Sequence, residues 1–129
     1  MGSMAEKICL DTDVCIALLK GETRAPAILH AIAEKEVVLS VITLFELMLR
    51  RTNIDVVKRF IERFHRAPLD DAVARHASRL QKELAMHGAI IDVRDIFIAA
   101  TCIANDYSLL TFNRRHFERF TEIKLVAFE

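Results

Sequence analysis

Tryptophan is absent from the 129 residues, tyrosine occurs once, and there are only three glycines and two prolines. With Tyr107 alone, and most of the eight phenylalanines at helical core spacings, the chain has little with which to stack nucleobases. Any nucleic acid it handled would be held by shape and backbone contacts. No Gly/Ser/Pro-rich stretch divides the sequence and nothing repeats internally, so the length suits one core. Cysteine is scarce and odd in number. Cys9, Cys15 and Cys102 sit in apolar runs with no CxxC or Cys/His spacing for zinc. They read as buried reduced thiols, which points to a reducing compartment, the cytoplasm.

Long hydrophobic runs are lacking too. The apolar stretches at 37–49 and 96–104 are broken by Ser40, Thr43, Glu46 and Thr101. Both fall short of the roughly 20 apolar residues a membrane span needs. No charged segment leading into an apolar one opens the chain as a signal peptide would. Met1-Gly2-Ser3-Met4 reads as an expression-tag scar, so a single domain is expected over 4–129. Excess charge of either sign is missing as well, with 18 Lys plus Arg against 18 Asp plus Glu. That argues against a protein coated in positive charge for nucleic acid, yet leaves open a segregation of charge within the chain.

What is present is apolar and ordered. Hydrophobic residues make up 53% of the chain, which excludes a disordered one. Apolar runs at 7–10, 37–40, 108–111 and 123–128 read as strands, and Ala67-Pro68-Leu69 as a small edge strand. Helical spacing covers 13–20, 25–35, 42–51, 56–64, 70–86, 94–105 and 114–120, the first closed by Gly21. Strands alternating with helices imply an α/β domain with a parallel sheet covered on both faces.

In such sheets ligands collect beyond the carboxyl ends of the strands. Asp11 follows the first strand, with Asp13 at the next helix start. Glu46 lies one turn into the helix after the second strand, Asp92 and Asp95 flank the start of the helix at 94–105, and Asn113 follows the strand ending at Thr111. Asp13 and Asp92 also suit helix caps. Glu46 interrupts an apolar run and needs a partner, either an arginine or a cation. Two unit charges about 4 Å apart repel by roughly 4 kcal/mol at an effective dielectric near 20, so converging carboxylates either take up protons or bind a metal. Donors that are all oxygen favour Mg2+ or Mn2+ over zinc.

Four motifs in order resemble those of PIN-domain nucleases of the VapC toxin type: Ile8-Cys9-Leu10-Asp11-Thr12-Asp13-Val14, Ser40-Val41-Ile42-Thr43-Leu44-Phe45-Glu46-Leu47, Asp95-Ile96-Phe97-Ile98-Ala99-Ala100, and Leu109-Leu110-Thr111-Phe112-Asn113-Arg114-Arg115-His116-Phe117. The resemblance implies a three-layer PIN-like fold, with a five-stranded parallel sheet of order 3-2-1-4-5 flanked by helices. It further implies a Mg2+- or Mn2+-dependent endoribonuclease, the toxin of a toxin–antitoxin pair. Asp11, Glu46 and Asp95 would be the acidic metal ligands and Asn113 the fourth catalytic position. Thr12, Asp13, Thr43, Asp92 and Thr111 would support them. The chain departs from many relatives in carrying Asp13 where they have Asn or Ser, and Asn113 where some have Asp.

Nine bases fall between Arg50 and Lys82, and Arg114, Arg115 and His116 adjoin Asn113 as candidate RNA contacts. The apolar helices at 42–64 exceed what one side of a small sheet needs. By resemblance they imply a homodimer and a cognate antitoxin protein, with no membrane partner. One alternative is a PIN module that binds RNA or a protein with little catalysis. A second is a haloacid dehalogenase-like phosphatase, with Asp11 as nucleophile and Asp13 as acid/base. That chemistry needs an acidic pair directly after a strand, whereas Asp92 and Asp95 precede a helix. If Asp11, Asp13, Glu46, Asp92 and Asp95 share one pocket, they leave 13 acids against 18 bases elsewhere. Neutrality of the total is then compatible with a nucleic-acid substrate.

Overall fold

The first strand, β1 (Lys7–Leu10), is buried along Ile8, Cys9 and Leu10 and becomes the centre of a parallel sheet. This computed structural model describes residues 6–128, so the tag-like Met1-Gly2-Ser3-Met4 lies outside the described residues. β1 is followed by helix α1 (Thr12–Lys20), α2 (Ala25–Ile32) and β2 (Glu36–Ser40). Then come α3 (Val41–Met48), α4 (Ile54–Glu62), β3 (His65–Ala67) and the long α5 (Asp71–Met86). The chain closes with α6 (Val93–Asn105), β4 (Ser108–Leu110), the short α7 (Arg114–Phe117) and β5 (Lys124–Leu125). The strands of the described residues form one five-stranded sheet in the order β3-β2-β1-β4-β5, all parallel. This is the architecture expected of the motifs.

Alternation along β1 builds two cores. Ile8 and Leu10 face one way, joining Leu39 and Leu110 under Val14 and Ala17 of α1, Ile28 of α2 and Val57 of α4. Cys9 faces the other way with Leu109, packed by Val73, Ala77 and Leu80 of α5 and by Ile96, Ala99 and Ala100 of α6. Each fully buried Val, Leu or Ile among them contributes about 1.5–3 kcal/mol, which lets three- and four-residue strands persist. β1 pairs with β2 on one edge and β4 on the other, through Cys9↔Val38 and Cys9↔Leu109. The order therefore reverses at β1, and the loops after β1 and β4 part there to leave a crevice. Gly21 closes α1 at φ +62, donating its N–H to the carbonyls of Ala17 and Leu18.

Several boundaries differ from expectation for local reasons. β3 lies at His65–Ala67 and not at Ala67-Pro68-Leu69, pairing Ser40 with Ala67 and ending before Pro68, which has no N–H to donate. Its exposed His65 and Arg66 carry no apolar alternation, as suits an edge strand. β5 is only Lys124–Leu125, although Val126 N still donates to Leu109 O at 2.9 Å. The helices expected at 25–35, 42–51 and 114–120 end earlier, at Ile32, Met48 and Phe117. No helix among the described residues is long and apolar enough to cross a membrane.

Candidate active site

Asp11 stands between β1 and α1, its backbone N–H donating to Leu110 O at 3.0 Å. It, and not Asp13, is the N-cap: Oδ1 accepts from Thr12 N at 2.9 Å and Oδ2 from Thr111 Oγ1 at 2.7 Å. At 7% exposure its carboxyl is pushed up to about 6. Burial is the largest cause, opposed by the Thr111 and Thr12 bonds and reinforced by the charges of Asp13 and Asp95.

Glu46 arrives from α3 along a chain of hydroxyls. Ser40 ends β2 and caps α3, its Oγ accepting from Thr43 N at 3.1 Å. Thr12 Oγ1 lies 3.1 Å from Thr43 Oγ1 and donates to Glu46 Oε1 at 2.6 Å. Thr12 has one proton to give, and the carboxylate takes it. Glu46 is thereby half-buried and aimed at the end of β1.

Asp95 stands in the first turn of α6, its carboxyl raised chiefly by burial and held back by His116. His116 Nδ1 lies 3.4 Å from Asp95 Oδ2 and 2.7 Å from Asn113 Nδ2. That nitrogen serves one of them at a time, accepting the Asn113 amide N–H in one tautomer or donating a proton to Asp95 in the other. Asn113 N donates to Thr111 Oγ1 at 3.0 Å, so Thr111 ties the loop after β4 to Asp11.

Asp92 is the N-cap of α6, Oδ1 accepting from Arg94 N at 2.9 Å. Hydrogen bonds from the Arg94 side chain, then from its N–H, hold this exposed carboxyl down at about 2. Asp13 is exposed on the first turn of α1. Arg114 Nη1 donates to Val126 O at 2.8 Å, which commits it to the chain's own backbone, while Arg115 is exposed beside it.

Asp11, Thr12, Asp13, Glu46, Asp92, Arg94, Asp95 and Asn113 line one cleft of about 390 Å³, whereas Thr43, Thr111, Arg114, Arg115 and His116 are not in its lining. A larger groove of about 470 Å³ between α5 and α6 is walled by Ala74, Ala77, Val93, Ile96 and Phe97 and has no carboxylate in its lining. The groove is also lined by Ser78, Gln81 and Lys82, but the converging carboxylates lie in the cleft. Sequence reasoning missed Arg94, whose Nη1 reaches Glu46 Oε2 at 3.2 Å from 48 positions away. An arginine two residues past a cap carries no periodic signal that would reveal such a pairing.

The donors suit a hard divalent cation, being carboxylates and one carboxamide oxygen. Burial, reinforced by the charges of Asp13 and Asp95, raises the carboxyl of Asp11, and a bound cation would offset both. Among the described residues no three acidic, imidazole or thiol side chains yet stand close enough to hold an ion. Arg94 holds the outward oxygen of Glu46 and His116 approaches that of Asp95, so an ion would take over oxygens these two now face.

The PIN domain family model matches residues 8–123. The chain belongs to the PIN domain family. This PIN domain is 28% identical over 120 residues to the tRNA(fMet)-specific endonuclease VapC of Shigella flexneri, covering 88% of this chain and 91% of that protein. It is 34% identical to Ribonuclease VapC1 of Methanocaldococcus jannaschii over 74 residues, which are 57% of this chain and 54% of that protein. The structure of DNA-bound VapBC from Salmonella typhimurium superposes on this PIN domain with a TM-score of 0.81 at 27% identity, covering 93% of this chain and 96% of that one. Membership leaves the phosphatase alternative without support.

Proposed function

We propose that this PIN domain is a Mg2+- or Mn2+-dependent endoribonuclease, the toxin of a toxin–antitoxin pair in the cytoplasm. One observation carries the reading: the carboxylates of Asp11, Glu46 and Asp95 and the amide of Asn113 line a single cleft beyond the carboxyl ends of β1, β2 and β4. Relatives named as ribonucleases, and a fold shared with VapBC, support it. Asp11, Glu46 and Asp95 would hold the ion, with Asn113 as a neutral fourth donor. When bound, a divalent ion acidifies water and offsets the charge that develops on a phosphodiester.

The chain's own residues prepare that chemistry. Thr111 and the Thr12 N–H orient both oxygens of Asp11, and the Thr12 hydroxyl fixes one oxygen of Glu46. Ligands braced in this way need little reorganisation when substrate arrives. Arg115 and His116 lie beside Asn113, where the RNA backbone would leave the cleft. Leu29, Phe45, Met48, Leu49 and Val56 are exposed large apolar side chains on and beside α2, α3 and α4. They suit the antitoxin and a second copy of this chain.

The test is cleavage of a panel of single-stranded RNAs with Mn2+. Asp11→Asn and Asp95→Asn are expected to abolish it while circular dichroism stays native. Wild-type protein that leaves the panel intact at high Mn2+, or Asn variants that cut normally, would overturn the assignment.

A further inference from the structure

Arg94 is the one base among the described residues lining the acidic cleft. Its guanidinium is divided between two carboxylates. Nε and Nη2 meet Asp92 Oδ1 and Oδ2 at 3.2 and 2.8 Å, while Nη1 reaches across to Glu46 Oε2 at 3.2 Å. Asp92 is itself fixed as the cap of α6, since Oδ1 also takes the Arg94 backbone N–H. One edge of the planar fork is therefore anchored, and the other faces the cleft. Guanidinium geometry is rigid, so anchoring one edge aims the donors of the other.

The surroundings give those donors a task. Asp11, Asp13, Glu46 and Asp95 all repel an entering phosphodiester. Were Glu46 to serve a divalent ion, Nη1 would lose its partner while Asp92 would keep the fork in place. An anchored guanidinium edge beside the acids matches the paired oxygens of a phosphate. We propose that Arg94 is a phosphate-contacting residue of this cleft, anchored by Asp92 and passed from Glu46 to the RNA backbone when substrate binds. The proposal rests on the endoribonuclease reading and names a side chain that the four PIN-like motifs do not contain.

Two measurements on the full chain test it. One is equilibrium binding of a labelled single-stranded RNA with Ca2+ across a salt series. The other is calorimetric titration of Mn2+ without RNA. Arg94→Ala is expected to weaken RNA binding about tenfold and to make the log–log salt slope shallower by about 0.7, one phosphate contact on a single strand. Arg94→Lys should keep the slope, as the charge remains, yet recover only part of the affinity, as the fork is lost. Mn2+ affinity should hold or tighten severalfold in Arg94→Ala, because Glu46 is released.

An unchanged salt slope in Arg94→Ala, RNA affinity within twofold of wild type, or Mn2+ affinity falling in step with RNA affinity would each overturn the proposal. The last of these would make Arg94 a brace for Glu46. Such failures in a protein whose wild type cuts RNA leave the endoribonuclease reading standing. Wild type that neither binds nor cuts RNA removes both.

Discussion

At the amino ends of the strands, Glu6 accepts from Ser108 Oγ at 2.6 Å and pairs with Lys35 at 3.4 Å, Lys7 approaches Glu36 at 3.9 Å, and Lys124 meets Asp106 at 2.7 Å. At the carboxyl ends of the same strands, five acids line a cleft whose only base among the described residues is Arg94. The consequence shows in titration. The Glu6 carboxyl is held below its ordinary range, first by the Ser108 bond, whereas burial lifts Asp11 to about 6. One edge of the sheet is neutralised in water and adds little either way. The other holds a buried carboxyl among further acids, an arrangement that a fold selected for stability alone would discard.

The largest expected effect comes from removing the stored charge. The folded protein keeps a proton on Asp11 up to about pH 6, the unfolded chain only to about 3.8. Between those values the folded state binds more protons, so stability falls as pH rises through the window, and the deficit is constant above it. The shift corresponds to a penalty of about 3 kcal/mol at pH 7 for this nearly buried group. Asp11→Asn, tested with chelator present, should therefore be more stable than wild type at pH 7.5 by about 1–3 kcal/mol, less the mismatch of the new amide. The gain should vanish near pH 4. Saturating Mn2+ should stabilise wild type and not the variant. Melting curves for both proteins at pH 4, 5 and 7.5 measure this, and a gain that does not depend on pH would break the contrast between the two edges.

A smaller effect separates two hydroxyls of nearly equal geometry. Thr12 and Ser108 each donate to a carboxylate at 2.6 Å, one at either end of the sheet. If the carboxyl end is the working end, Thr12→Val should lower cleavage and Mn2+ affinity by about 10- to 100-fold, the usual cost of losing a group that orients a ligand. Ser108→Ala should leave kcat/KM within twofold and cost about 1 kcal/mol of stability. Parallel assays decide it. Equal losses of activity would mean that neither edge is special.

Much of this polarity is legible in the amino-acid sequence. Apolar runs mark β1, β2 and β4, and in a parallel sheet the residues just past each run fall at the carboxyl edge, which is why Asp11, directly after β1, and Asn113, three residues past Leu110, line one cleft. Glu46 stands out as a charge inside an apolar helix. Less legible is whatever depends on pairs distant in sequence. The capping role belongs to Asp11 and not Asp13 because Asp11 is extended at φ −67, ψ 157 while its hydrogen bonds close the first turn of α1. β3 escapes placement because an edge strand can be polar on both faces. Arg94 is invisible because its value lies in reaching Glu46, and spacing within one helix says nothing about that.

The smallest expected effect tests the inert edge directly. Lys124 Nζ meets Asp106 Oδ1 at 2.7 Å and the Asp106 carbonyl at 3.3 Å, which places a cation at the carboxyl end of α6. The contact is short, yet the two side chains are 52% and 89% exposed. Water and salt screen such a pair, and ordering the lysine offsets much of the attraction. Lys124→Met keeps the stem and removes the charge, so it should change stability by less than about 0.5 kcal/mol, or about 1–2 °C in Tm. Cleavage should be unchanged, since the pair lies at the amino edge. A loss approaching the gain expected of Asp11→Asn would mean that this edge carries stored electrostatic energy as well, and burial alone would no longer distinguish the two ends.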